Sequence, residues 1–158
     1  MGSYVIRRDI DAPTEAVFRA FADPALVVDW MDAKEIRDAS GPLDQSGTTY
    51  TLVIFGIHHF RTTVVRSEPA RLHETRGHGR FGWYRMVATL TPRDGRTELE
   101  LLTEYGLPWG PIGRWLDHRF VDREPRTQAN REVDRLVELV SAPIGVTPDE
   151  ARRKPVPA

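Results

Sequence analysis

The sequence predicts an α+β domain in which a curved antiparallel sheet wraps around a long C-terminal helix, with two short helices after the first strand. Three observations carry that prediction. From about residue 34 to 106 the pattern is strand after strand, broken by turn chemistry. In the last of these strands Leu99, Leu101, Thr103 and Tyr105 share one face while Glu98, Glu100 and Glu104 share the other, as in a sheet with one face in water. Residues 111–140 then keep helical spacing, and only this helix is long enough to cover the apolar face.

"SYVIRRDI" alternates Tyr4, Ile6, Arg8 and Ile10 against Val5, Arg7 and Asp9 and reads as the first strand. "DAPTEAVFRAFAD" shifts to helical spacing with Val17, Ala20 and Phe21 on one side; Asp11 is a plausible N-cap and Pro13 fits the first turn. "DPALVVDWM" restarts as a second short helix ending near Trp30. "TTYTLVIF" is β-branched and aromatic, Gly56 breaks it, and "HHFRTTVVRS" follows. "RLHETR" comes after Pro69, and "WYRMVATLT" and "TELELLTEY" flank Asp94-Gly95, the strongest short hairpin signal in the chain. The expected division is one domain over 1–142 and a flexible proline-rich tail over 143–158.

The totals exclude several function classes. A chain of 158 residues removes roughly 70% of its unfolded surface from water, so it builds a core without staples. A net charge of −1 lacks the basic excess of a nucleic-acid footprint, so no nucleic-acid partner is expected. The absence of cysteine removes disulfides, thiolate catalysis and iron–sulfur clusters. No apolar run is long enough for membrane insertion and no signal peptide is evident, so a cytoplasmic location is expected. Oligomeric state has no signature in the sequence.

Apparent motifs fail on context. "GHGRFG" spells G-x-G-x-x-G, but a strand and not a helix follows it, so Gly77, Gly79 and Gly82 read as turn glycines. His58 and His59 are adjacent on a strand and point to opposite faces. His73 and His78 lack partners at ligand spacing, and His118 with Asp122 is at best two ligands, so no metal is expected. The long helix itself is unusual. Ile112, Trp115 and Leu116 lie on the side of Val133, Val137 and Val140, yet Arg119, Arg123, Arg126 and Asn130 occupy that side between them, with Pro125 in their midst.

"IDAPTEAVFRAFADPALVVDW", the strand after "EPARL", the "PRDGRTELEL" hairpin and "GPIGRWLDHRF" resemble the polyketide cyclase/dehydrase and lipid-transport family, within the START-like, Bet v 1-like helix-grip superfamily. The resemblance spans roughly residues 3–141 and rests on diffuse, fold-level motifs. It implies an internal cavity for a bulky hydrophobic or polyketide-like small molecule, and aldol-type cyclisation or dehydration without a cofactor. A non-catalytic carrier or sequestering protein for a lipid, quinone or antibiotic is the alternative, and a chaperone-activator-like interaction module a third.

Where a gripped helix parts from the sheet, cavity-facing side chains need not be apolar. Arg119, Arg123 and Asn130 are then candidates to face the hollow, with Trp115 at its sealed end. Taking Leu72 as inward carries Glu74 and Arg76 to the inside by parity. Met86 brings Tyr84 with it, the last strand offers Thr103 and Tyr105, and Trp30 and Phe55 are candidates for the mouth. In a cyclase, Glu74 is the candidate base and Arg119, Arg123, Tyr84 or Tyr105 the donors that hold an enolate. Two other readings remain open: a helix broken at Pro125 whose arginines face water, and a structural ion pair between a helix arginine and Glu74.

Overall fold

The computed structural model describes residues 1–54, 56, 58–106 and 125–141. Seven strands form one antiparallel sheet: β1 (Gly2–Ile10), β2 (Ala33–Arg37), β3 (Thr49–Ile54), β4 (His58–Glu68), β5 (Leu72–Gly79), β6 (Gly82–Arg93) and β7 (Arg96–Gly106). Their order is β1-β7-β6-β5-β4-β3-β2, so every neighbour from β2 to β7 is sequential and only β1 returns to pair with β7. Irregularities at Ala33/Glu35 and Val64/Arg66 break the register, which bends strands and adds twist. The Asp94-Gly95 turn has positive φ at both residues and joins β6 to β7 as the hairpin signal requires.

Helix α1 (Thr14–Ala22) opens after Pro13, whose extended backbone ends the preceding segment. Its N-cap is Pro13 with no side-chain cap, so Asp11 does not cap it. Asp23 does cap α2 (Pro24–Trp30), accepting from the Ala25 amide at 3.0 Å, with Pro24 where its missing N–H is harmless. Helix α3 (Pro125–Ser141) packs against α1, α2 and β1. It buries Ala129, Val133 and Leu136, each large apolar side chain contributing about 1.5–3 kcal/mol. The buried stripe is thus rotated by roughly 60° from the Asn130–Val133–Val137 line expected from sequence, at 100° per residue. The 107–124 segment and the 142–158 tail, including the expected kink and basic stripe before Pro125, lie outside the described residues.

The main core joins Ile6, Ile10, Leu90, Leu99 and Leu101 of the sheet to Val17, Phe21 and Trp30 of α1 and α2 and to α3. A smaller cluster of Val27, Leu43, Tyr50, Leu52 and Val64 fills the far side. Opposite this core, the outer face of the sheet is an ion-pair lattice. Glu98, Glu100 and Glu104 each meet an arginine at 2.9 Å, from Arg93, Arg7 and Arg85 respectively.

Candidate functional site

Directly opposed residues share a face, so the register sorts the side chains. Thr75 pairs with Met86, Met86 with Thr103, and Thr103 with Tyr4, giving one row across the inner face. A second row runs Tyr50, Thr62, Gly77, Tyr84, Tyr105 and Gly2. The glycines in it carry the geometry. A Cβ at Gly77 would overlap the Tyr84 ring, and one at Gly2 would overlap that of Tyr105. Each ring therefore lies over its neighbouring strand instead of standing in the interior. Gly77 and Gly79 are strand residues of β5, not turn residues, and the turn is Arg80-Phe81.

The space so left is a cavity of about 200 Å³. An apolar cavity of about 150 Å³ accommodates benzene, so this one suits one or two rings. Its sheet wall is Tyr4, Ile54, Phe60, Tyr84, Met86, Leu101 and Thr103; Trp30, Met31, Ala129 and Glu132 close it from the helices. Trp30 is 1% exposed, with its indole N–H donating to the Ala20 carbonyl at 2.7 Å, so it is a deep wall and not a mouth residue. The Tyr84 hydroxyl shares a 2.8 Å hydrogen bond with Thr62. Burial pushes that phenol up to about 12, against the hydrogen bond. Tyr4 is also raised, first by burial, against a smaller downward pull from Thr103, with Glu132 and Tyr105 adding to the rise.

Sequence reading missed Tyr4, Met31, Ile54, Phe60, Leu101, Ala129 and Glu132 of the cavity wall, and Glu132 is the carboxyl among them. Burial raises its carboxyl to about 7, against a hydrogen bond from Gln128 (3.1 Å); nearby Asp32 adds to the rise and Arg135 opposes it. The signal was available: Glu132 is three residues after Ala129 and four before Leu136, within the apolar stripe of α3.

The candidate residues divide. Trp30, Tyr84, Met86 and Thr103 meet at the cavity. Tyr105 lies on the same inner face beside Tyr84 and 6.3 Å from the Tyr4 ring, outside the cavity wall. Glu74 and Arg76 do not face inward. His73, Thr75 and Gly77 take the inner side of β5, His73 packing edge-on to Phe18 at 5.9 Å, and this puts Glu74 and Arg76 on the outer face. There Glu74 accepts from Arg85 Nε at 2.8 Å and from Arg76 at 3.3 Å. Burial alone would raise its carboxyl, but the two guanidiniums, Arg85 foremost, hold it below the usual range. Asn130 also misses the cavity, because the rotated stripe turns it to β1. It accepts from Arg8 at 2.7 Å and donates to the Arg126 carbonyl at 2.8 Å. Phe55, Trp115, Arg119 and Arg123 lie outside the described residues.

Among the described residues no cluster of three His, Asp or Glu could hold a metal ion, and no helix is long and apolar enough to cross a membrane. The fold is similar to that of protein MLL2253 from Mesorhizobium loti, with 17% identity, TM-score 0.67, and 88% of this chain covering 96% of that one. CalU16 from Micromonospora echinospora is similar with 18% identity, TM-score 0.62 and coverage of 94% and 70%. Norcoclaurine synthase from Thalictrum flavum is similar with 14% identity, TM-score 0.58 and coverage of 88% and 87%. No curated protein shows significant sequence similarity. The family model described as polyketide cyclase/dehydrase and lipid transport matches residues 1–141, and with a seven-stranded sheet closed by a C-terminal helix the chain belongs to that helix-grip family.

Proposed function

We propose that this protein binds a hydrophobic or polyketide-like small molecule in the cavity between the inner sheet face and its helices, and that it acts on it by aldol-type cyclisation or dehydration without a cofactor. The observation that carries the reading is the cavity itself. It is mostly apolar, and Tyr4, Tyr84 and Thr103 from β1, β6 and β7 are the hydroxyl-bearing residues of its wall. Membership of a family described by both polyketide chemistry and lipid transport supports the small-molecule part and keeps a carrier role as the second reading. Catalysis adds the requirement that carbonyl oxygens meet fixed donors, for which Tyr4, Tyr84 and Thr103 in the cavity wall are the candidates.

The binding reading is tested by native mass spectrometry of purified protein beside titration with a two-ring hydrophobic dye. Ala129→Trp fills the cavity from α3 and is expected to abolish dye binding and any copurified ligand. Arg76→Ala on the outer face is expected to leave both intact. Retained binding in Ala129→Trp would move the ligand site elsewhere.

A further inference from the structure

We propose that Glu132 is the proton acceptor of this cavity, and that the molecule it takes is a carbon acid: a one- or two-ring compound with an acidic C–H next to a carbonyl. This rests on the binding reading above and names the residue and bond on which that site acts. Among the described residues Glu132 is the one carboxyl that lines the cavity. Glu74, the glutamate at the middle of the sheet, is turned to the other face and neutralised by two arginines.

The surroundings of Glu132 fit the role from each element that meets it. Tyr4 on β1 and its cross-strand partner Thr103 on β7 bring hydroxyls to the same cavity. Gln128, one turn earlier on α3, donates to Oε1 at 3.1 Å and orients the carboxyl. Asp32, after α2, is paired with Arg135 at 3.3 Å, so the guanidinium that opposes the rise at Glu132 is shared with another acid. Burial then poises the Glu132 carboxyl near neutrality, where a base is both ionised and strong enough to matter. In the step, a Glu132 oxygen takes the proton from the α-carbon. The C–H electron pair forms the C=C bond of the enolate, and the carbonyl π pair moves to oxygen, within reach of donors such as Tyr4 and Thr103. The enolate carbon then attacks a second carbonyl of the same molecule, its own C=O re-forming as the C–C bond forms, and the alkoxide produced takes the proton back from Glu132; without a second carbonyl, the enolate carbon itself takes that proton back.

The reverse proton transfer supplies a test that needs no natural substrate. 2-Tetralone, a two-ring ketone, is incubated with protein in D2O, and proton NMR follows loss of its α-hydrogens while line broadening reports binding. The wild type is expected to accelerate exchange, with the protein-dependent rate rising through about pH 7 as Glu132 ionises. Glu132→Gln is expected to lower that rate about 100-fold with binding retained. Glu74→Gln is expected to leave it unchanged. Binding without accelerated exchange, or exchange that survives in Glu132→Gln, overturns the assignment of Glu132 and leaves the cavity reading standing. Absence of 2-tetralone and dye binding overturns the cavity reading and this inference with it. If Glu132→Gln does not fold, the wild-type pH profile decides: a rate that shows no inflection between pH 6 and 8 beyond that of buffer overturns the proposal.

Discussion

Glu74 and Glu132 are the same functional group on opposite sides of one sheet, and their surroundings drive them apart. Glu74 is only 5% exposed, yet the Arg85 and Arg76 guanidiniums make its anion the stable form. Glu132 is half-buried beside tyrosine rings and a thioether, with one neutral amide as hydrogen-bond donor, and its anion is the costly form. The same contrast holds for the two faces as wholes. The outer face is an array of arginine–glutamate pairs, which stays charged and hydrated; the inner face is apolar at the closed end and hydroxyl-rich at the other. Burial by itself therefore does not mark a reactive carboxylate. What distinguishes the two is whether cations compensate for the lost water.

The largest expected effect breaks the inner face. Gly77→Val places a side chain where the Tyr84 ring lies, so unfolding in urea should show a loss of about 3 kcal/mol, together with weakened dye binding as the ring is pushed into the cavity. A neutral substitution would mean that Tyr84 does not need the glycine.

Next comes a pH effect in which two inner groups oppose each other. His73 is buried and lowered to about 4 from 6.5, chiefly by burial, with Asp44 opposing. The unfolded chain takes up that proton first, so stability present above pH 6.5 is lost as pH falls toward 4. Glu132 is raised from 4.5 to about 7, so its contribution is present below 4.5 and lost as pH rises through 7. Between pH 4.5 and 6.5 the two slopes cancel, at about 1.4 kcal/mol per pH unit each. Wild-type stability is expected to be nearly flat there, and Glu132→Gln to expose a decline of about 2–3 kcal/mol on acidification, read from urea midpoints at fixed pH. A variant as flat as wild type would show that Glu132 is not raised.

On the outer face, Glu74→Gln leaves Arg85 with Glu104 alone and is expected to lower stability by about 1–2 kcal/mol without changing ligand binding. A loss of binding in that variant would return Glu74 to the site. The smallest effect is expected for Arg76→Ala, whose side chain is 60% exposed: below about 0.5 kcal/mol by thermal melting.

Much of this architecture is legible in the chain because it rests on local chemistry. The Asp94-Gly95 turn, the Asp23-Pro24 start of α2 and the alternation of Leu99, Leu101 and Thr103 each act within a few residues. The site is less legible. The alternation of "LHETR" offered Leu72 as the inward residue, and its parity carried Glu74 along. The interior instead accepts His73, Thr75 and Gly77, which are polar or small. A neutral imidazole against Phe18 and Phe21 and a glycine under a tyrosine ring are good core residues only once their neighbours are in place.

Among the described residues the sequence by itself determined the order and type of the elements, the Asp94-Gly95 hairpin turn and the family, because side-chain period and turn conformation depend on residues next to one another. Only the tertiary structure decided which side of β5 faces the core and how α3 is rotated about its axis. Both are choices of phase: a strand offers two faces and a helix a full circle, and the better one is set by what packs across the interior. Thus Glu74 is turned outward to the arginines of neighbouring strands, and Glu132 inward to the cavity, by contacts far away in the chain.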